Sequence, residues 1–195
     1  MHYKNIKKVL DYLFLVIISP ILIILIFSFS FLIKVFNPKE NIFFIQDRVG
    51  YKGKIFKIIK FRTMYSSSEN NLFTSEDDER IDKLGIFLRK FRIDELPQFI
   101  NILLGQMSLI GPRPEQVHFV KVLNEKYGEK FNIRHKVNPG ITGLAQVEHG
   151  YVSDFDDYLH KLNLDIQYVD NFSLLQDIKI FFKTFFVVFF KVGSR

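Results

Sequence analysis

The chain has no cysteine among its 195 residues, which excludes disulfides and thiolate metal sites and fits a reducing compartment. It also lacks a Walker loop, a Rossmann glycine fingerprint and a nucleophile elbow, so three common signals of phosphate binding and covalent catalysis are missing. His118, His135, His149 and His160 show no zinc spacing. There is no RNP-like box and no long basic run, so nucleic acid is not expected as a partner. Internal repeats and low-complexity tracts are absent too. No small-residue cleavage site follows the apolar stretch near the start, so that stretch is expected to remain on the mature protein.

Positive charge and apolar bulk are abundant. Lysine and arginine number 27 against 21 acids, a net charge of +6, while 48% of residues are hydrophobic and 23 are phenylalanine. That mixture suits a protein resting on an anionic surface, with membrane lipid as a partner. A chain of this length holds one compact domain and an appendage.

The appendage is "LFLVIISPILIILIFSFSFLI", residues 13–33. As an unbroken helix it would measure about 31 Å, the thickness of a hydrocarbon core. Pro20 has no N–H for the Val16 carbonyl and its ring crowds that oxygen, so a bend is expected near Ser19. The Ser19 hydroxyl can satisfy a freed carbonyl. Both flanks are basic: Lys4, Lys7 and Lys8 precede the run, and Lys34, Lys39, Arg48 and further lysines follow it. Two arrangements fit. One is a single kinked span; the other is a helix that turns at Ser19-Pro20 and leaves by the face it entered, keeping both positive flanks on one side. Residues 1–40 are read as the membrane anchor and 41–195 as the domain that follows.

From Asn41, "NIFFIQDRVGYKGKIFKIIKFRTM" reads as a β-hairpin around a glycine-containing basic turn. "YSSSENNLFTSEDDER" is polar and aperiodic, a surface loop. "IDKLGIFLRKFR" places Ile81, Leu84, Leu88 and Phe91 at helical spacing with basic residues between them. Helices are expected from about Pro97 to Gly105, from Glu115 to Tyr127 and over "SDFDDYLHKLNLDIQYV", and "NPGITGLAQV" as a loop running into an extended piece. The Ser-x-x-Gln form of "SLLQ" at residues 173–176 predicts a capping box for a last helix. On that helix Phe181, Phe182, Phe185, Phe186, Phe189 and Phe190 form an aromatic stripe, facing either the core or the lipid interface. The fold class is α+β, mainly α, with a small hairpin and amphipathic interfacial helices around a compact domain.

The densest cluster of chemically capable residues is "LRKFRIDELPQFINILLGQMSLIGPRPE", residues 88–115. Pro97 is tolerated only near a helix start, which puts Asp94 and Glu95 at or just before a helix N-terminus, where charged carboxylates are favoured. They serve there either as cap and first-turn charge or as a reactive pair. Pro112 and Pro114 restrict the backbone around Arg113 and can aim its guanidinium, whose planar fork suits phosphate; a surface salt bridge is the alternative. Arg89, Lys60 and Arg62 can add positive charge. Two carboxylates beside a phosphate-rich substrate suit Mg2+. Gly140 and Gly143 can let backbone N–H groups approach a phosphate.

"KFRTM", "RIDELPQFINILLGQMSLIGPRPE", "PGITGLAQV" and "YVDNFSLLQDIKIFFKTF", in that order, resemble the bacterial sugar transferases, the monotopic phosphoglycosyl transferases. The resemblance runs from the Ser-Pro helix almost to the C-terminus, and the length is like that of small members consisting of the catalytic core. It implies transfer of a sugar 1-phosphate from a UDP-sugar to polyprenol phosphate with release of UMP. It also implies a covalent phosphosugar on the first acid of the Asp-Glu pair, here Asp94, and Mg2+ at Asp94 and Glu95, with Glu95 either binding the metal or assisting the acceptor phosphate. Arg113, Arg89 and Lys60 are then phosphate-binding residues, to which the charge of Arg62 in the hairpin adds a further candidate, and Ser19-Pro20 is the hinge of a re-entrant helix. The location implied is the cytoplasmic face of the bacterial inner membrane, with both termini cytoplasmic. Many relatives continue the "AQV" motif with Asn-Gly-Arg, where this chain has Glu148-His149-Gly150, so a contact made by that arginine does not carry over. A non-catalytic membrane-surface protein binding lipid or a partner is the rival reading; it accounts for charge and phenylalanine but not for adjacent acids beside "GPRPE". No feature of the sequence specifies the sugar, the prenyl length or the oligomeric state.

Overall fold

The structure, a computed structural model, describes residues 2–65, 81–149 and 154–190. The polar stretch expected to be a surface loop falls at residues 65–80 and lies almost wholly outside the described residues, as does Gly150. Helix α1 (His2–Phe36) carries the apolar run, and by length and composition it can cross a membrane, with a mean hydropathy of 2.9 over its most apolar window. Helical structure continues through Pro20, so the break expected at Ser19-Pro20 does not interrupt α1. The local chemistry is nevertheless as anticipated: the Ser19 hydroxyl donates to the Val16 carbonyl at 2.9 Å, the very acceptor that Pro20 leaves without a partner.

Both halves of α1 touch the domain that follows. Near its start, Tyr3 donates to Asp177 at 2.5 Å, Lys7 pairs with the same carboxylate, and Asp11 accepts from Ser108 at 2.6 Å. Leu15 and Leu22 are buried with Phe56, Ile58, Ile102 and Met107, and near the far end Ile33 is buried with Phe61 and Leu88. The opposite face, with Val16, Ile17, Ile21, Ile24, Phe27 and Phe31, is exposed. A helix with one face packed and the other uniformly apolar needs a nonpolar medium on its free side.

The hairpin reading holds. Strands β1 (Phe43–Val49) and β2 (Ile55–Phe61) pair antiparallel from Phe43 opposite Phe61 to Val49 opposite Ile55. The turn uses Lys52 and Gly53 at positive φ. Helix α2 (Lys83–Lys90) follows, with Leu88 buried, then a 3-10 turn (Ile93–Gln98) running into α3 (Phe99–Leu103). Strand β3 (Ser108–Ile110) comes next, and β4 (Glu115–Gln116) joins the free edge of β1. Helices α4 (Val117–Tyr127) and α5 (Glu129–Asn132) lead to β5 (Gly140–Thr142), which pairs parallel with β3. "NPGITGLAQV" thus differs from expectation: its extended part comes first, and Leu-Ala-Gln-Val-Glu forms helix α6 (Leu144–Glu148) because good helix formers follow an extended Gly143.

Helices α7 (Phe155–Asp170) and α8 (Leu174–Phe190) complete the fold. Ser173 accepts from the Gln176 N–H at 3.4 Å, the expected half of a capping box, while the Gln176 side-chain oxygen makes no bond back. Phe181 packs inward against Phe14, whereas Phe182, Phe185 and Phe186 are 68%, 65% and 59% exposed. The stripe is therefore mainly a surface.

Gly140 and Gly143 serve packing rather than an open phosphate cradle. A Cβ at Gly140 would lie 2.1 Å from the Gly111 nitrogen, and one at Gly143 would lie 2.2 Å from the Gly111 carbonyl oxygen. These contacts are backbone to backbone and cannot yield without separating β3 from β5. Gly140→Ala is expected to cost about 3 kcal/mol or more. Chemical denaturation of the full chain in detergent, compared with the wild type, checks this.

Candidate active site

Arg92 closes α2 in the left-handed region, at φ 53°, which is uncommon for a residue with a side chain. The chain turns sharply there, and the 3-10 turn that follows lays Asp94 and Glu95 against β2. Both acids are buried, at 9% and 6% exposure. Their position in the first turn of a helical segment, with Pro97 just behind, is the one that the sequence predicts.

The two carboxylates have different surroundings. One Glu95 oxygen accepts from Lys60 Nζ at 3.1 Å and from Arg113 Nη2 at 2.5 Å, and the other lies 4.0 Å from Arg92 Nη1. Asp94 has only an ion contact of 3.9 Å to Lys60 and no hydrogen bond among the described residues. Burial acts to raise both pKa values. At Glu95 the charges of Arg113, Lys60 and Arg92 outweigh it and hold the carboxyl well below the usual range. At Asp94 burial prevails, helped by the Glu95 charge and opposed by Lys60, and the pKa is raised. Two adjacent acids are thereby driven apart: a fixed anion and a carboxylate whose oxygens remain uncommitted.

Arg113 is aimed by its backbone. The Arg113 carbonyl accepts from Arg134 Nη2 at 2.6 Å and the Pro114 carbonyl from Arg48 Nη1 at 3.0 Å. Arg134 is itself held in a buried network: its guanidinium lies 2.8 Å from Asp165 and 3.4 Å from Glu115, and it donates to the Tyr158 hydroxyl at 2.9 Å. Tyr158 and Lys161 both donate to Glu115, at 3.1 and 2.5 Å. Burial would raise the Glu115 pKa, but Lys161, Arg134 and Arg48 outweigh it and hold it below the usual range. Arg48 is lowered to about 10, chiefly by burial.

Of the residues singled out in the sequence, Lys60, Asp94, Glu95 and Arg113 come together. Arg89, on the last turn of α2, is near enough to add positive charge at Asp94, and its Nη1 is buried without a hydrogen bond. Arg62 is not brought to the pair: it donates to the Asn41 carbonyl at 3.1 Å and lies 3.6 Å from Glu40. It lies one residue past the end of β2, where Glu40 and Asn41 at the entrance to β1 claim its guanidinium. Arg92, Arg48, Glu115, Arg134 and Asp165 went unread in the sequence as parts of a site. Arg92, two residues before the acids, and Glu115, at the end of "GPRPE", carry a local signal; Arg48, Arg134 and Asp165 carry none.

For a divalent ion, Asp94 fits as a ligand, since both oxygens lack hydrogen bonds. Glu95 is already enclosed by three cations. No cluster of three or more His, Asp or Glu side chains suited to a metal occurs among the described residues. One carboxylate with substrate phosphate oxygens is a common magnesium arrangement.

Comparison with known proteins gives a consistent result. A family model described as bacterial sugar transferase matches residues 2–191. The chain is 44% identical over 195 residues to UDP-N-acetylgalactosamine-undecaprenyl-phosphate N-acetylgalactosaminephosphotransferase of Aeromonas hydrophila, covering 99% of this chain and 46% of that protein. It is 36% identical over 194 residues to UDP-glucose:undecaprenyl-phosphate glucose-1-phosphate transferase of Klebsiella pneumoniae, covering 95% and 40%. To the protein of the same description in Escherichia coli (strain K12) it is 40% identical over 185 residues, covering 91% and 38%. The chain thus spans less than half the length of these three relatives.

The buried network generates a prediction with a definite sign. Because the Glu115 pKa is depressed in the folded state, its contribution is complete above the unfolded value of about 4.3 and is lost as pH falls through the folded value. Glu115→Gln is expected to lose roughly 3 kcal/mol at pH 7. The gap to the wild type should narrow as pH falls below about 4.3. Urea unfolding across a pH series measures both.

Proposed function

The chain belongs to the bacterial sugar transferase family, and from that premise we propose that it transfers a sugar 1-phosphate from a UDP-sugar to polyprenol phosphate, releasing UMP. The observation that carries the reading is the unequal pair. Glu95 is tied to Arg113 and Lys60, while Asp94 beside it keeps its oxygens uncommitted. An oxygen that accepts no hydrogen bond keeps its lone pairs for attack on phosphorus. The names of the relatives, which join UDP-sugars or their sugars to undecaprenyl phosphate, supply the substrate classes.

In the first step an Asp94 oxygen bonds to the phosphorus next to the sugar as that phosphorus parts from the bridging oxygen, which leaves with UMP. In the second, an oxygen of the acceptor phosphate attacks the same phosphorus, the bond to Asp94 breaks, and the carboxylate is regenerated. Arg113 and Lys60, with Arg89 from α2, surround the phosphate charge. Glu95 keeps these cations in place without leaving the pocket with excess positive charge. Magnesium, when bound, would offset negative charge on the phosphates, with Asp94 as its protein ligand.

The anchor is read as re-entrant, with residues 1–40 in one leaflet, the domain of 41–195 on the cytoplasmic face and both termini on that side. Support comes from α1 itself, which meets the same domain at Tyr3 and Lys7 near one end and at Ile33 near the other. The Ser19 hydroxyl lets Pro20 remain in an apolar setting without an orphaned carbonyl.

Asp94→Asn is expected to reduce UMP release by at least about a thousandfold while membrane association persists. Wild-type protein given UDP-sugar alone should gain the mass of a phosphosugar on the Asp94 peptide; transfer with UDP as the product, and no adduct, would overturn the scheme. Since the ionised form of Asp94 attacks and its pKa is raised, kcat/KM should climb with pH along a limb lying above the ordinary aspartate range. Glu95→Gln removes a like charge and should move that limb down.

The topology is tested separately. The chain has no native cysteine, so single cysteines placed at residues 2 and 194 can be labelled without background. Labelling of both from the cytoplasmic side is expected, and labelling from opposite sides contradicts a re-entrant anchor.

A further inference from the structure

Beside Glu95 lies a cavity of about 140 Å³ whose wall is formed by Leu96, Phe99, Ile141, Val147, Val187 and Val188. Arg92 and Glu95 line it too, giving it one charged boundary. Three other polar residues line it, and their hydrogen bonds are largely spent within the wall. Thr184 donates to the Ile180 carbonyl at 2.8 Å, so the 2.8 Å contact between the Thr142 and Thr184 hydroxyls is one in which Thr142 donates. Gln146 donates from its amide to the Ile141 carbonyl at 2.9 Å, while its side-chain oxygen is buried without a hydrogen bond and is the one acceptor the wall leaves open. With both threonine protons used, the wall offers a ligand mostly methyl and aromatic surface.

A uracil or ribose could meet the Gln146 oxygen but would leave its other polar groups unmatched against such a wall, at a cost in affinity. An amphiphile with a phosphate at the charged end and an apolar chain in the cavity matches it. Arg92 is the cation with the least commitment to Glu95, at 4.0 Å and with a one-third exposed side chain, so it has room to meet a phosphate. The cavity also joins the apolar surface. Phe99 lies four residues before exposed Leu103 on α3, and Val188, which lines the cavity, is 36% exposed on α8 near exposed Phe185.

We propose that this cavity receives the first isoprene units of the lipid acceptor, with the acceptor phosphate at the Arg92 and Glu95 end. The proposal rests on the transfer reading given above and adds to it the place and the residues that recognise the prenyl chain. It makes Val187 and Val188 selectors of acceptor structure.

The test uses the full chain in detergent micelles with prenyl phosphates of one, two and four isoprene units. For the wild type, KM is expected to fall as units are added. Val188→Trp and, independently, Val187→Trp fill the cavity and should raise KM for the longer acceptors about tenfold, flattening that dependence. Leu175→Trp, on the exposed start of α8, should keep the wild-type dependence. A prenyl phosphate with a photoreactive diazirine on its first unit should attach to peptides containing Phe99, Val187 or Val188. An unchanged length dependence in both valine variants, or attachment only to α1, overturns the proposal. So does competition of the cavity adduct by phosphatidic acid as effectively as by prenyl phosphate, which would make the cavity a general lipid site. Cavity attachment without UMP release by the wild type would retain the site and refute the transfer reading instead.

Discussion

The ion pairing of Glu95 with Arg113 and Lys60 is the constraint on which the rest of the site depends. Its three members come from separate parts of the fold: the 3-10 turn, the "GPRPE" segment and strand β2. A buried carboxylate is tolerable only with such partners, and buried cations are tolerable only with it. Satisfying Glu95 therefore fixes the turn against the strand, and with it the position of Asp94. It also divides the labour between neighbouring acids: the one that neutralises the cations is the one least able to react. Arg113 and Lys60 stay close enough to Asp94 to meet a phosphate there.

Behind that cluster a second set of buried charges governs the first through the backbone. Arg134 and Arg48 spend hydrogen bonds on the carbonyls of Arg113 and Pro114, while Glu115, Asp165 and Tyr158 hold Arg134. Such a network adds little net stability, because desolvation cancels much of the Coulomb attraction. What it supplies is direction. With prolines on both sides and their carbonyls tied down, the Arg113 side chain has few orientations to choose among, and less entropy is lost when it meets an anion.

How much of this was legible in the sequence depended on range. The β1–β2 hairpin, the first-turn placement of Asp94 and Glu95 and the Ser173 cap each rest on spacing within a few residues, and each appears in the structure. The prolines around Arg113 point to an aimed side chain, and in the structure its guanidinium meets Glu95. Arg62 is offered by its charge and its place in the hairpin alone, and Glu40 and the Asn41 carbonyl, which claim its guanidinium, carry no local signal. Arg134 and Asp165 belong to different elements, and no local pattern announces that they will meet. The left-handed conformation of Arg92 has no sequence signature either, since side chains other than glycine and asparagine seldom adopt it. The glycines of "NPGITG" were read as exposing backbone, but parallel pairing of β3 with β5 consumes that freedom on Gly111.

The arrangement of α1 connects the chemistry to its setting. A helix attached to the domain at one end alone could stand upright in a bilayer and leave the domain free above it. Here Tyr3, Lys7 and Asp11 bind near one end while Ile33 is buried near the other, so the exposed apolar face between them is held alongside the domain. The outward phenylalanines of α8 add a second apolar surface beside the cavity at Glu95. A nonpolar medium that covers both surfaces brings the interface up to the buried acids. On the proposed transfer, a phosphate would reach Arg113 and Lys60 there while the chain attached to it stays in the apolar phase. The burial that raises the Asp94 pKa would, in that transfer, also keep competing water from phosphorus. The proposed nucleophile, the charges around it and the apolar surfaces beside it are thus consequences of one packing arrangement.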